Sequence, residues 1–149
     1  MARSLTFDTG LVEYEINGVP VTLNPTDESF VSKLYDAFGK LDDLQGALTD
    51  GGGETGDVLR RFGDLDADMR ATIDGLFGEG FADRAIPVNC YAIADGLPVW
   101  CNLMLAVLDE VTEAYEREFG KTDGRMRAHG EKFNAMMAKY GRRSGMRTA

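Results

Sequence analysis

The sequence has little of the material from which metal sites and nucleophilic active sites are built. It contains one histidine, two cysteines and one tryptophan among 149 residues. Cys90 and Cys101 have only the distant His129 as a possible partner, so neither a Cys/His zinc site nor a Cys–His nucleophile pair is well supported. We expect both cysteines to be small, buried apolar thiols.

Long apolar runs are also missing. No segment approaches the roughly 20 apolar residues that a membrane-spanning helix needs. Residues 1–10 lack the apolar centre of a signal peptide. Together with the low cysteine count, these absences predict a protein of a reducing cytoplasm that has no membrane partner.

Basic residues are scarce over most of the chain. Residues 1–116 contain 22 acidic and 7 basic residues, a net charge of −15, and residues 117–149 contain 3 acidic and 9 basic residues, a net charge of +6. The acidic part argues against nonspecific nucleic-acid binding. The basic part is open to several interpretations: it binds an acidic protein surface, nucleic acid or an anionic membrane, or it folds back on the acidic part or stays solvated.

Alternating apolar residues predict an antiparallel meander at residues 4–23. Apolar and polar side chains alternate over residues 4–8 and 12–16, which is typical of half-buried strands. The pair Asn17-Gly18 favours a type I′ turn and therefore a hairpin. An earlier turn at Thr9-Gly10 would add a third strand.

Three apolar stripes with steps of three and four residues predict helices at about residues 26–48, 57–77 and 98–119. Asn24 or Thr26 is expected to cap the first helix. The glycine-rich residues 50–56 predict a flexible loop.

The remaining segments complete an α+β prediction. Residues 81–98 favour a short helix, with a buried strand as the alternative. The predicted fold is an N-terminal antiparallel β-hairpin or meander followed by an antiparallel helical bundle. Residues 1–119 would form a single domain, and residues 120–149 a basic, partly helical appendage.

Two patterns suggest ligand sites and do not meet their requirements. Asp64, Asp66 and Asp68 resemble the start of an EF-hand loop, but the sixth and twelfth positions are Met69 and Gly75. We therefore expect these aspartates to lie on a solvated helix face. The glycines at 51–53 lack the Gly-Lys-Ser/Thr of a phosphate loop and indicate a linker.

Neighbouring carboxylates occur at 42/43, 109/110 and 113/116, where solvated helix faces account for them. The sequence therefore predicts no catalytic, cofactor-binding or metal-binding residue, no cofactor and no enzyme activity. The most apolar helix is the candidate protein-binding element. Its predicted binding residues are Leu97, Trp100, Leu103, Met104, Val107, Val111 and Tyr115.

Two stretches carry a family resemblance that spans roughly residues 4–119. The first comprises residues 7–18 (FDTGLVEYEING) with 24–27 (NPTD) and 30–35 (FVSKLY), and the second is residues 91–103 (YAIADGLPVWCNL). Together they resemble an uncharacterised prophage protein family of the tail-gene module in gut Firmicutes. More loosely, a hairpin with an Asn-Gly turn before a helical body looks like the tail assembly chaperones of long-tailed phages.

That resemblance implies a cytoplasmic protein of the bacterial host that binds the tape-measure protein and recruits tail-tube subunits during virion morphogenesis. It implies no catalytic residues. A homo-oligomer is possible, and the acidic body is not expected to bind nucleic acid. Two alternatives stay open: a structural tail component retained in the virion, and an acidic DNA mimic that inhibits a host defence protein.

Overall fold

The computed structural model describes residues 2–50 and 55–126 of the chain. The chain divides after Val111 into two compact units. The first contains two small sheets and most of the helices, and the second is described over residues 112–126 only. The predicted α+β class is confirmed, since an N-terminal antiparallel hairpin is followed by helices.

The N-terminal hairpin forms where the sequence predicts it. β1 (Val12–Ile16) pairs antiparallel with β2 (Val19–Leu23), with Ile16 opposite Val19. Asn17 and Gly18 both have positive φ, 49° and 82°, as a type I′ turn requires. The third strand of the predicted meander is wrong: within the described chain this sheet has two strands, and residues 2–11 pair with neither.

The first helix, α1 (Glu28–Asp50), begins two residues later than predicted. Its cap is neither Asn24 nor Thr26 but Asp27, whose Oδ1 accepts a hydrogen bond from Ser29 N at 3.0 Å. Asn24 instead closes the preceding turn, since its Oδ1 accepts from the N–H and the hydroxyl of Thr26, each at 2.8 Å.

The second helix, α2 (Thr55–Phe77), packs against α1, and the apolar stripes of both helices contribute to the core. Two expectations for the connecting loop, a flexible loop at 50–56 and a linker at 51–53, fall largely on residues 51–54, which lie outside the described residues. The most deeply buried side chains of the pair are Leu34, Leu41, Met69 and Ile73. Removing them from water is the main source of stability for this unit.

Residues 81–98 contain the predicted short helix, whereas two short strands outside the core take the place of the alternative, a buried strand. α3 (Phe81–Ala85) is a single short helix, and β3 (Ile93–Ala94) pairs with β4 (Leu97–Pro98) in a second small hairpin. Its turn residues Asp95 and Gly96 have φ of 55° and 80°. These strands are exposed rather than buried.

The last helix, α4 (Val99–Met126), starts directly after β4. Val99 N donates to Ala92 O at 2.7 Å and Trp100 N donates to Cys90 O at 2.9 Å, which fixes the start of the helix against the preceding loop. The helix continues past its predicted end at residue 119 as far as Met126. The predicted domain limits and the predicted appendage stay predictions, because residues 127–149 lie outside the described part.

Candidate protein-binding groove

An open apolar groove of about 300 Å³ lies in the first unit. Its walls come from the β-hairpin, from the start of α1 and the segment before it, from the end of α2 and from α4. The lining residues are Tyr14, Glu15, Ile16, Asn17, Leu23, Pro25, Phe30, Phe77, Leu103, Ala106, Val107, Glu110 and Val111. Elements distant in sequence therefore meet around one concave surface.

The pleat of the hairpin explains which of its side chains line the groove. Tyr14 and Ile16 are two residues apart and share one face of β1. Their cross-strand partners Val21 and Val19 are buried, which identifies this face as the inner one. Tyr14 and Ile16 themselves stay half-exposed and form one wall of the groove.

The opposite wall follows from helical spacing. Leu103, Val107 and Val111 recur every four residues on α4 and so lie on one face of it. Leu103 and Val107 are half-exposed, whereas Val111 is buried at the bottom of the stripe. Side chains that are apolar yet only half-covered can gain free energy when a partner covers the rest.

The charged residues that line the groove are acidic. They are Glu15 on β1 and Glu110 on α4, and no Lys, Arg or His is among the lining residues. The hydroxyl of Tyr14 donates to Glu110 Oε1 at 2.8 Å, which ties the hairpin to α4. The expectation that Glu110 belongs to a solvated face is wrong, because it is half-buried and holds this bond. An apolar ligand with a positive group fits such a surface.

The predicted binding residues divide into several sets. Leu103, Val107 and Val111 line the groove. Trp100 and Met104 are interior residues and present no surface: Trp100 Nε1 donates to Gln45 Oε1 at 2.8 Å and its ring meets Phe38 edge-on. Leu97, on β4, is exposed and does not line the groove.

Tyr115 belongs to the second unit, where its ring stacks on Phe119 at 5.5 Å. The prediction that it binds a protein stays a prediction.

Sequence reasoning missed the part of the groove that lies outside α4. Phe30 and Phe77 come from different helices, and their rings lie 6.3 Å apart. Phe77 also packs on Phe81 at 4.7 Å. Helical periodicity places Phe30 on the apolar face of the first helix, but the neighbouring residues in the sequence do not indicate that its side chain is only half-buried.

A second polar cluster joins α2 to the segment after it. The guanidinium of Arg70 donates to three backbone carbonyls, of Ala82, Ile86 and Val88, with the shortest distance, 2.6 Å, at Val88. It also forms ion pairs with Asp66 at 2.9 Å and Asp83 at 3.1 Å. One side chain therefore fixes the path of residues 82–88.

Asp66 completes this cluster and corrects the sequence prediction. Asp64 and Asp68 are exposed as expected, but Asp66 is largely covered and its Oδ1 accepts from Cys90 N at 2.7 Å. Burial raises the pKa of Asp66, but the Cys90 N–H and the Arg70 charge outweigh it, so the pKa lies below its ordinary 3.8.

Asp74 serves the same segment one turn later on α2. Its two carboxylate oxygens accept from Gly80 N at 3.1 Å and Ala82 N at 2.8 Å. Gly80 has φ +82°, a left-handed conformation that glycine adopts without strain. Asp74 therefore satisfies N–H groups at the start of α3, where no side chain of the capping residue does so.

Both cysteines are thiols without a disulfide bond. Cys90 is fully buried as expected, and burial, reinforced by the charge of Asp66, raises its pKa to about 12. Cys101 is half-exposed rather than buried, and partial burial, together with the charge of Asp42, raises its pKa. His129 lies outside the described residues.

Neither a metal site nor a membrane-spanning helix occurs in the described ranges. No group of three or more His, Cys, Asp or Glu side chains in residues 2–50 and 55–126 could hold a metal ion. Over the same ranges, no helix combines the length and the apolar character needed to cross a bilayer.

Comparison with protein-family models, with curated proteins and with solved structures finds no match.

Proposed function

We propose that this chain is a tail assembly chaperone-like protein, a binding protein rather than an enzyme. It holds apolar segments of the tape-measure protein in the host cytoplasm until tail-tube subunits assemble around that protein. The observation that carries the proposal is the open apolar groove with acidic residues in its wall. The identity of the partner comes from the family resemblance.

The groove suits the apolar stripe of a helix. Half-exposed Phe77, Leu103 and Val107 offer side chains from two helices, and the groove volume of about 300 Å³ takes a few apolar side chains rather than a whole helix. Helices bind such grooves through anchors spaced three and four residues apart. Each anchor that is fully covered contributes about 1.5–3 kcal/mol before the cost of ordering the partner.

Charge supports the same interpretation. Glu15 and Glu110 favour a partner segment with Lys or Arg beside its apolar anchors and disfavour an acidic one. The net charge of −15 over residues 1–116 would keep a complex with an apolar partner from associating further.

Co-expression with the tape-measure protein of the same tail module tests the proposal. We expect the wild-type chain to co-purify with it and to raise the amount that stays in solution. Val107→Asp places a charge in the groove and should abolish both effects. Leu59→Asp is the matched control, because Leu59 is 64% exposed on α2 and lies outside the groove.

Two further measurements separate the alternatives. Mass spectrometry of purified virions should not detect the chain if it acts only during assembly, whereas a structural tail component would be present. A DNA mimic would capture a nucleic-acid-binding host protein from lysate, and that capture would weaken steeply as salt is raised. Capture of the tape-measure protein through the apolar groove should instead depend weakly on salt.

A further inference from the structure

Residues 2–11, which we call the arm, expose large apolar side chains. Leu5 is 90% exposed and Phe7 is 84% exposed. The two are spaced as on one face of a strand, and this spacing led the sequence analysis to predict a third strand. Large apolar side chains on a regular strand pattern without a covering partner are typical of an interaction segment.

The root of the arm is fixed rather than loose. Asn24 Nδ2 donates to Thr9 O at 2.9 Å, and Gly10 N donates to Asp8 Oδ1 at 2.8 Å. Gly10 has φ +73°, and a Cβ there would lie 2.5 Å from Asn24 Nδ2. Only glycine fits this turn without displacing Asn24.

The turn directs the arm away from one edge of the hairpin. Asn24 follows the last residue of β2, so its bond to Thr9 holds the arm's root on the β2 side of the sheet. The outer edge of β1, which pairs with no strand in the described chain, lies on the other side. In the described residues the arm forms no ladder with β1 of its own copy.

That outer edge of β1 borders the groove. Three consecutive residues of β1, 14–16, line the groove although neighbouring side chains of a strand point to opposite faces, so the strand lies along the groove edge-on. Ile16 and Val19 flank the two-residue turn and form a hydrogen-bonded pair, and such pairs alternate with non-hydrogen-bonded pairs along the ladder. Glu13 and Glu15 belong to the non-hydrogen-bonded pairs, so their backbone N–H and C=O groups point outward, away from β2. These groups are a template for an added strand.

We propose that the arm of one copy adds as a third strand to the outer edge of β1 in a second copy. Leu5 and Phe7 then enter the groove of the second copy. Arg3 lies on the same side of the arm, two residues before Leu5, and meets the acidic wall formed by Glu15 and Glu110. The exchange is reciprocal, so it closes a two-fold dimer without leaving an unpaired arm.

The arm therefore covers the groove of the dimer before a partner protein arrives. Strand addition supplies backbone hydrogen bonds, and the alternate side chains supply apolar contact. The inference does not depend on which partner later displaces the arm, because the dimer forms from this chain alone.

Sedimentation equilibrium of the full chain, without any partner, tests the exchange. We expect a dimer, and we expect Leu5→Ser and Phe7→Ser each to weaken it at least about a hundredfold, since each substitution removes one apolar anchor from both arm–groove contacts of the dimer. Val107→Asp in the groove should weaken it at least as much. Leu59→Ser, which changes an exposed leucine outside both surfaces, should leave the dimer unchanged.

Mixing variants distinguishes exchange from other dimers. The double variant Leu5→Ser/Phe7→Ser retains a groove, and Val107→Asp retains an arm. Each alone should be largely monomeric, whereas an equimolar mixture should form a heterodimer through one intact arm–groove contact.

Three results would overturn the inference: a wild-type monomer at all concentrations, a dimer that survives the arm variants, or failure of the mixture to form a heterodimer. Capture of the tape-measure protein is measured separately. A monomer that still captures it through Val107 would refute the exchange and leave the proposed function standing, and a dimer that captures nothing would do the reverse.

Discussion

Replacing Arg70 should destabilise the first unit more than any other single change of a surface-accessible charge on α2. Its side chain is about one-fifth exposed and reaches three carbonyls and two carboxylates. Arg70→Ala leaves Ile86 O inside the fold without the donor that the guanidinium supplies. It also leaves Asp66 without its counter-charge.

The magnitude follows from the solvent access of each group. A hydrogen bond to a charged donor contributes about 1.5–3 kcal/mol, and a buried acceptor left unsatisfied costs about 1–3 kcal/mol. Val88 is exposed, so water can replace the donor at its carbonyl, and Ala82 O still accepts from Ile86 N at 2.8 Å. The loss at Ile86 and Asp66 therefore dominates, and we expect Arg70→Ala to cost about 2–3 kcal/mol.

Urea unfolding monitored by tryptophan fluorescence measures this loss. Trp100 is the single tryptophan and is buried, so its emission reports the integrity of the core. With a urea dependence of roughly 2 kcal/mol/M, the midpoint should fall by about 1–1.5 M. Arg70→Lys should recover little of the loss, because an ammonium group cannot reproduce the planar fork that serves several acceptors.

Arg60→Ala is the control, since Arg60 is an exposed arginine on the same helix. We expect it to change stability by less than about 0.5 kcal/mol. The reasoning is refuted if Arg70→Ala and Arg60→Ala shift the urea midpoint equally. It is also refuted if Arg70→Lys behaves as the wild type.

Three further predictions concern titration, reactivity and the groove. The pKa of Asp66 is lowered in the folded protein, so its contribution to stability is complete above the unfolded pKa of about 3.8 and is lost as pH falls through the lower folded value. Wild type and Asp66→Asn should therefore differ in urea midpoint at pH 7 and converge in strong acid. A difference in midpoint that does not change with pH would contradict this. Iodoacetamide at pH 8 should modify half-exposed Cys101 and spare buried Cys90, whose pKa is about 12. Peptide mass spectrometry identifies the modified cysteine, and faster modification of Cys90 would contradict this prediction. Tyr14→Phe removes the hydrogen bond to Glu110 and should lower the free energy of unfolding by about 1 kcal/mol, measured by thermal or urea unfolding. An unchanged midpoint would show that this bond does not stabilise the packing of the hairpin on α4.

Local chemistry explains which elements the sequence predicts. The Asn17-Gly18 turn is fixed by residues that tolerate positive φ, so the first hairpin is visible without any tertiary contact. Asp95-Gly96 carries the same signal and makes the same kind of turn. It was missed because strands of two residues are too short to show a period of two.

Long-range packing explains what the sequence does not predict. The role of Arg70 depends on carbonyls 12 to 18 residues away, which have no residue-type signature. Leu5 and Phe7 show the alternation of a strand, but in the described chain they form none, because alternation alone does not supply a neighbouring strand. Of the predicted binding residues, periodicity could not separate half-exposed Val107 from interior Met104, because both belong to one broad apolar stripe.

The most direct test of the central claim is photo-crosslinking from inside the groove. A benzophenone amino acid at position 107, with the same group at position 59 as the control, would be irradiated in the chain co-expressed with the tape-measure protein. The account predicts a crosslink to the tape-measure protein from position 107 and none from position 59. A complex that forms but crosslinks only from position 59, or equally from both, would contradict the groove as the binding site.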